Sequence, residues 1–225
     1  GNESGSAQPA DRTSGIEAGS GIQLFLKKEI SLRQNRENFS FKVAQSLYSS
    51  HRVDPGSRLL LNLILEEPAI SFEKILDLGC GYGPLGIVLG RLNQDALVHM
   101  VDRDSLAVDF ALANARENGI AGASVYGSLA YDSVTDSGFD LVVSNIPGKV
   151  GETVLEDMLL GATHMLQPGG TFALVCVTPL EPLVRETLTS VGAEVVRHAS
   201  RSDHEAFCFI FPEDTGVPNI WRNSG

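Results

Sequence analysis

Apolar positions along this chain recur with two periods, and the places where one period gives way to the other mark out most of the elements. A period of two runs through Ile30 and Leu32, breaks at the polar stretch Gln34-Asn35-Arg36-Glu37-Asn38, and resumes at Phe39, Phe41 and Val43. That pattern predicts a β-hairpin. Residues 57–64 read as an apolar helix, and Lys74-Ile75-Leu76-Asp77-Leu78 as a buried strand. Leu85, Val88, Leu89 and Leu92 have helical spacing. Residues 98–102 form a second strand of the same kind, followed by a helix over 104–118 that packs through Leu106, Phe110, Ala111, Ala113 and Ala115 and stops at Gly119. Further strands are expected at 124–128, 139–145, 171–177, 194–197 and 206–211, with helices at 154–166 and 182–190 and a turn at Gln167-Pro168-Gly169-Gly170. Strands that alternate with helices build a parallel sheet with right-handed crossovers. Residues 199–205 leave no room for a helix, so the last two strands should be antiparallel neighbours.

Composition narrows the class without changing that outline. The chain has 225 residues, 43% hydrophobic and 20% charged, which suits one globular domain large enough to bury a core without staples. Residues 1–20 are small and polar and are expected to be a flexible tail, leaving 21–225 as a single domain with a hairpin extension over 21–48 and a core over 49–212. There is no apolar run long enough for a membrane helix and no basic-then-apolar leader. Cys80, Cys176 and Cys208 stand singly in apolar surroundings, so they read as reduced buried thiols and the expected location is cytoplasmic. His99, His164, His198 and His204 lack ligand spacing, His204 beside Asp203 reads as a solvated turn, and no metal is expected. The net charge is −11, but residues 25–60 carry seven Lys or Arg against three acids, while residues 61–225 carry nine against twenty-two. Any polyanion would have to approach the N-terminal part.

The stretch with the most chemistry is Asp77-Leu78-Gly79-Cys80-Gly81-Tyr82-Gly83, between a strand and a helix. Glycines there let backbone N–H groups approach a ligand at the carboxyl edge of a sheet, beside a helix N-terminus. The dinucleotide fingerprint G-x-G-x-x-G fails, because Pro84 stands where its third glycine belongs. The form Asp-x-Gly-x-Gly-x-Gly resembles instead the first motif of class I S-adenosylmethionine-dependent methyltransferases. The resemblance implies a Rossmann-like α/β fold, with a seven-stranded mostly parallel sheet, helices on both faces and an antiparallel last strand, here preceded by the hairpin. It implies S-adenosylmethionine as cofactor, held by Asp77, Gly79, Cys80, Gly81 and Gly83. Asp102, at the end of the next strand, and Arg103 would lie at the ribose, and Ser128 and Leu129 would border the adenine.

Asn145-Ile146-Pro147 ends the fourth strand, at the same sheet edge as the glycines. It is similar to the Asn/Asp-Pro-Pro-aromatic motif of methyltransferases that act on exocyclic or amide nitrogens. There the Asn side chain and the next carbonyl accept hydrogen bonds from the substrate amine, which nominates Asn145, Ile146 and Pro147 as catalytic, with Asn145 a contact of the cofactor as well. Ile146 replaces the first proline, and Gly148 stands where an aromatic would stack, a role for which Tyr48 or Tyr82 could substitute. The segment from Ser49 to Leu61 and the Leu-x-Pro-Gly-Gly turn resemble the small methyltransferase domain of ribosomal RNA guanine-N2 methyltransferases. That likeness nominates Ser50 and Asp54 as residues over the cofactor and ribosomal RNA or a ribosomal subunit as partner. Family members carry a further N-terminal domain with no counterpart in these residues. Other functions stay open: methylation of a protein amide or small molecule, or a cofactor-binding partner subunit without activity. A nicotinamide oxidoreductase fits less well, for want of the glycine spacing and of a Tyr-x-x-x-Lys motif or a catalytic His pair.

Overall fold

A computed structural model describes residues 26–44, 52–66 and 70–211. Strands β1 (Leu26–Gln34) and β2 (Glu37–Ala44) form the hairpin. Its turn is Asn35-Arg36, both residues with positive φ (49° and 68°). Turns of this primed hand match the twist of the strands they join. Helix α1 (Pro55–Leu65) follows, then β3 (Lys74–Leu78), α2 (Pro84–Leu92), β4 (Leu97–Asp102), α3 (Ser105–Glu117) and β5 (Ser124–Gly127). The second half contributes β6 (Phe139–Asn145), α4 (Glu152–Met165), β7 (Leu166–Val177), α5 (Glu181–Ser190), β8 (Glu194–Arg201) and β9 (His204–Ile210).

Seven strands make one sheet in the order β5-β4-β3-β6-β7-β9-β8. Strand β9 alone runs antiparallel to its neighbours. Period-two alternation assigns each strand residue to one of two cores. Ile75, Leu141, Val143, Ala173, Val175, Ala206 and Cys208 face the hairpin and α1–α3. Leu76, Val142, Phe172, Leu174, Phe207 and Phe209 face α4 and α5. At the centre of β7 and β9 the smaller Ala173, Val175, Ala206 and Cys208 lie on the α1 side, and the larger Phe172, Leu174, Phe207 and Phe209 on the α4–α5 side. Both cores are closed, as close packing in protein interiors requires.

Two expectations need correction. The turn at 167–170 is absorbed into β7: pairing with β6 jumps from Phe139↔Leu166 to Leu141↔Thr171, so the Pro-Gly-Gly stretch is a bulge with Gly169 at φ 73°. Strands β8 and β9 are longer than the apolar pattern suggested. They meet at Ser202-Asp203, with Ser202 at φ 56°, because their polar ends still pair. The expected tail lies outside the described residues. Cys80, Cys176 and Cys208 are buried and free, and burial pushes the thiols of Cys176 and Cys208 up to about 12.

The hairpin is held by a device the pattern did not reveal. Asn114 in the last turn of α3 and Asn118 at its C-cap present their amides to the outer edge of β2. Asn118 accepts from the Ser40 N–H (3.1 Å) and donates to its carbonyl (2.7 Å). Asn114 accepts from the Lys42 N–H (2.8 Å) and donates to the carbonyls of Lys42 and Tyr82 (both 2.9 Å). Two side chains thereby act as a third strand. Asn114→Ala strands three backbone groups, and we expect a loss of about 2–4 kcal/mol in urea denaturation. A loss below about 1 kcal/mol would mean that water replaces the amide.

Candidate active site

The carboxyl ends of β3, β4, β6 and β7 meet at one edge of the sheet. After β3 the chain turns through Gly79, Gly81 and Gly83 at φ 68°, 57° and 96°. Side chains rarely tolerate that region. A Cβ on Gly79 or Gly81 would meet nothing within 4 Å, so the space beside each is open. Gly83 instead caps α2, where a Cβ would strike Ile87 at 2.8 Å. The turn is pinned from both sides. The Cys80 N–H donates to Val101 O (2.9 Å), and the Gly81 N–H donates to Asp102 Oδ2 (2.9 Å). Asp102 also accepts from the Asp104 N–H (2.9 Å), while Asp104 caps α3. The carboxylate is thus oriented by two backbone donors and keeps acceptor capacity to spare.

Two clefts open here. One, of about 380 Å³, is lined by Asp54, Ser57, Cys80, Gly81, Asn145 and His204 among others. Its neighbour, of about 240 Å³, is lined by Gly79, Arg103, Ser128, Leu129, Lys149 and Met158 among others. They share Asp102 and Pro147, so they form one trough across the sheet edge. An open cradle beside left-handed glycines, an oriented carboxylate and an apolar slot fit a nucleoside with a charged tail. In the second cleft Leu129 is exposed, and the Ser128 hydroxyl is already engaged, donating to Ala130 O (2.8 Å) and accepting from the Ser133 N–H (3.0 Å). Ser128 therefore shapes the loop.

Asp77 is placed differently from the other nominated residues. It lines neither cleft, is fully buried under the glycine turn, and accepts from the Gly86 N–H (2.8 Å) in the first turn of α2. Its Oδ1 has no partner among the described residues. Burial raises its carboxyl to about 7, opposed by the Gly86 bond and assisted by Asp102. It holds the turn from beneath.

Asn145 faces the first cleft. Its Nδ2 donates to Asp54 Oδ2 (2.7 Å) and to Ser57 Oγ (3.0 Å). Asp54 caps α1 with the same oxygen, accepting from the Ser57 N–H (2.9 Å). A carboxylate only accepts, so the amide end facing Asp54 is the NH₂ and the other end is the carbonyl Oδ1. Ile146 explains its own departure from proline. Its N–H donates to Val175 O (2.8 Å), a bond that proline could not make, and its side chain is buried against the α4 core. That bond extends the β6–β7 pairing past Asn145 and fixes the strand end.

Gly148 is exposed, and a Cβ there would meet only Val177 at 3.6 Å, so the fold does not demand glycine. Tyr82 does not supply the missing face: it is buried, edge-on to Phe41 with centroids 5.7 Å apart. Tyr48 and Ser50 lie outside the described residues. His204, expected in a solvated turn, instead begins β9 and lines the first cleft, its side chain 16% exposed and packed over Gly56. Sequence reasoning missed Ser57 as well, although it sits three positions after Asp54 in the lead-in segment. Among the described residues no group of three or more His, Cys, Asp or Glu could hold a metal, and no helix is long and apolar enough to cross a membrane.

Comparison with known proteins bears on the chemistry. The methyltransferase small domain family matches residues 38–199, most of the chain. The chain belongs to this family. It is 33% identical over 150 residues to the uncharacterized protein YbxB of Bacillus subtilis, covering 66% of this chain and 74% of YbxB. It is 35% identical over 143 residues to ribosomal RNA small subunit methyltransferase C of Pectobacterium atrosepticum, covering 62% of this chain and 40% of that protein. Among solved structures, the T. thermophilus 16S rRNA N2 G1207 methyltransferase (RsmC), in complex with AdoMet and guanosine, superposes with a TM-score of 0.70 at 27% identity. That match covers 84% of this chain and 51% of RsmC. The chain thus spans about half or less of the ribosomal RNA methyltransferases it matches. As a member of the small methyltransferase family it has a methyltransferase fold whose cofactor is S-adenosylmethionine.

Proposed function

We propose that this domain methylates an exocyclic amine of a ribosomal RNA base, with guanine N2 as the target atom. The observation that carries the reading is the fixed orientation of Asn145. Because Asp54 and Ser57 occupy its NH₂ end, its carbonyl is the free end, an acceptor suited to a substrate amine. Bound S-adenosylmethionine supplies an electrophilic methyl group on a sulfonium. Gly79, Cys80 and Gly81 would hold it through the backbone cradle, Asp102 would accept from its ribose hydroxyls with Arg103 beside it, and Ser128 and Leu129 would border its adenine. Asn145 Oδ1 and the Ile146 carbonyl would accept hydrogen bonds from the two amine N–H groups, which raises the nitrogen's nucleophilicity and aims its lone pair, and solvent in the cleft would take the proton that the methylated nitrogen sheds. Pro147 would keep the turn that presents them. No strong general base is needed, since positioning dominates this kind of transfer. Support comes also from the relatives whose names are those of ribosomal RNA methyltransferases.

The test is transfer of labelled methyl to ribosomal subunits and to RNA stripped from them, followed by digestion to nucleosides. Label should appear in N2-methylguanosine. Label confined to protein or small molecules would discard the RNA reading, and cofactor binding without any transfer would favour the partner-subunit alternative.

A further inference from the structure

We propose that a groove between β1 and the start of α1 binds the phosphate backbone of the RNA and delivers it to the cleft. The proposal rests on the RNA reading above. The groove, about 390 Å³, is lined by Arg33 from β1, by Arg52, Val53 and Arg58, and by one acid, Glu29. Arg33, Arg52 and Arg58 are exposed. Elsewhere Lys42, Lys74, Arg91, Arg185 and Arg197 are tied to acids. Among the described residues Arg33 and Arg58 have no such partner. Guanidinium groups match phosphate in shape and hold it bidentately.

Position strengthens the case. Residues 52–58 form a wall shared by groove and cleft: Arg52, Val53 and Arg58 line the groove, and Asp54 and Ser57 line the cleft and hold Asn145. A strand gripped at Arg58 therefore lies one residue from the groups that orient Asn145. The rest of the molecule argues by exclusion, because residues 61–225 carry twenty-two acids against nine Lys or Arg. Net charge therefore favours approach of a polyanion along this side, with Arg103 and Lys149 of the second cleft as the cations nearest the site beyond it. Strand β1 pairs only with β2 among the described residues, so an extended peptide added to its edge is the rival occupant.

The full chain and the double variant Arg33→Glu/Arg58→Glu would be titrated with a fluorescent purine-rich single-stranded RNA across a salt series. A milder pair, Arg33→Gln/Arg58→Gln, guards against misfolding, and calorimetry would follow S-adenosylmethionine binding. We expect RNA affinity to fall roughly tenfold or more and the log–log salt slope to shrink by about 1.4, for two lost contacts on single strands. Cofactor affinity should stay unchanged. RNA bound equally by wild type and both variants would overturn the groove while leaving RNA methylation standing. Wild type that binds no RNA and labels only protein would overturn the RNA reading and the groove with it. An excess of inorganic polyphosphate should displace RNA from wild type, and failure to displace it would overturn a phosphate-binding groove. An uncharged extended peptide that displaces RNA would instead assign the site to strand addition and overturn the proposal.

Discussion

Asn145→Ala is expected to lower kcat for methyl transfer by about 10²–10³-fold, the scale of losing an aligned polar group at a reacting atom. S-adenosylmethionine affinity should change by no more than a few-fold, because the glycine cradle and Asp102 lie on other strands. The side chain is half-buried, and its loss leaves Asp54 and Ser57 facing a cleft that water can enter, so the fold should survive. Ser57→Ala provides a graded comparison. It removes one of two bonds to Nδ2 and leaves the Asp54 bond, so kcat should fall by about tenfold at most. Single-turnover rates at saturating cofactor would separate chemistry from binding. Equal rates for wild type and Asn145→Ala would end the assignment of Asn145 as the acceptor.

The residues in this argument differ in how far the sequence exposes them. The glycine turn and Asp102 were legible because their chemistry is local: a buried strand, a turn needing positive φ, and a carboxylate at the next strand end. Asn145 was legible as a polar residue closing an apolar strand before a proline. Its partner Asp54 is 91 positions away, and no periodicity connects an α1 cap to the end of β6. Ser57 was passed over for the same reason. His204 was misread because charged and polar neighbours conceal a strand that continues to pair beyond its apolar section. Asn114 and Asn118 looked like ordinary polar positions near a helix end, yet they are buried and pair with a strand edge. The fold follows from alternation, which is a property of short segments. The site depends on which segments meet, and only packing decides that.

Asp77 shows what such packing does to a residue read from sequence as a ligand group. An aspartate with an ordinary value near 3.8 is raised to about 7, first by burial, against the pull of the Gly86 N–H and with a further push from Asp102. Below about pH 4 the carboxyl is protonated in both states and its full contribution to stability is present. Between about pH 4 and 7 the unfolded chain releases the proton while the folded chain retains it, so stability falls as pH rises. Above about pH 7 both states are ionised and the loss is complete. About three pH units correspond to about 4 kcal/mol, an upper figure for one buried group. Asp77→Asn keeps an oxygen for the Gly86 N–H and cannot ionise. Urea denaturation of the cofactor-free protein at pH 4.5 and pH 8 should therefore show wild type losing stability relative to the variant, by a few kcal/mol at most. The comparison isolates Asp77, because Asp140, also raised by burial, titrates alike in both proteins. Parallel pH profiles for the two would mean that Asp77 is ionised in the fold at acidic pH, with an unseen partner on Oδ1.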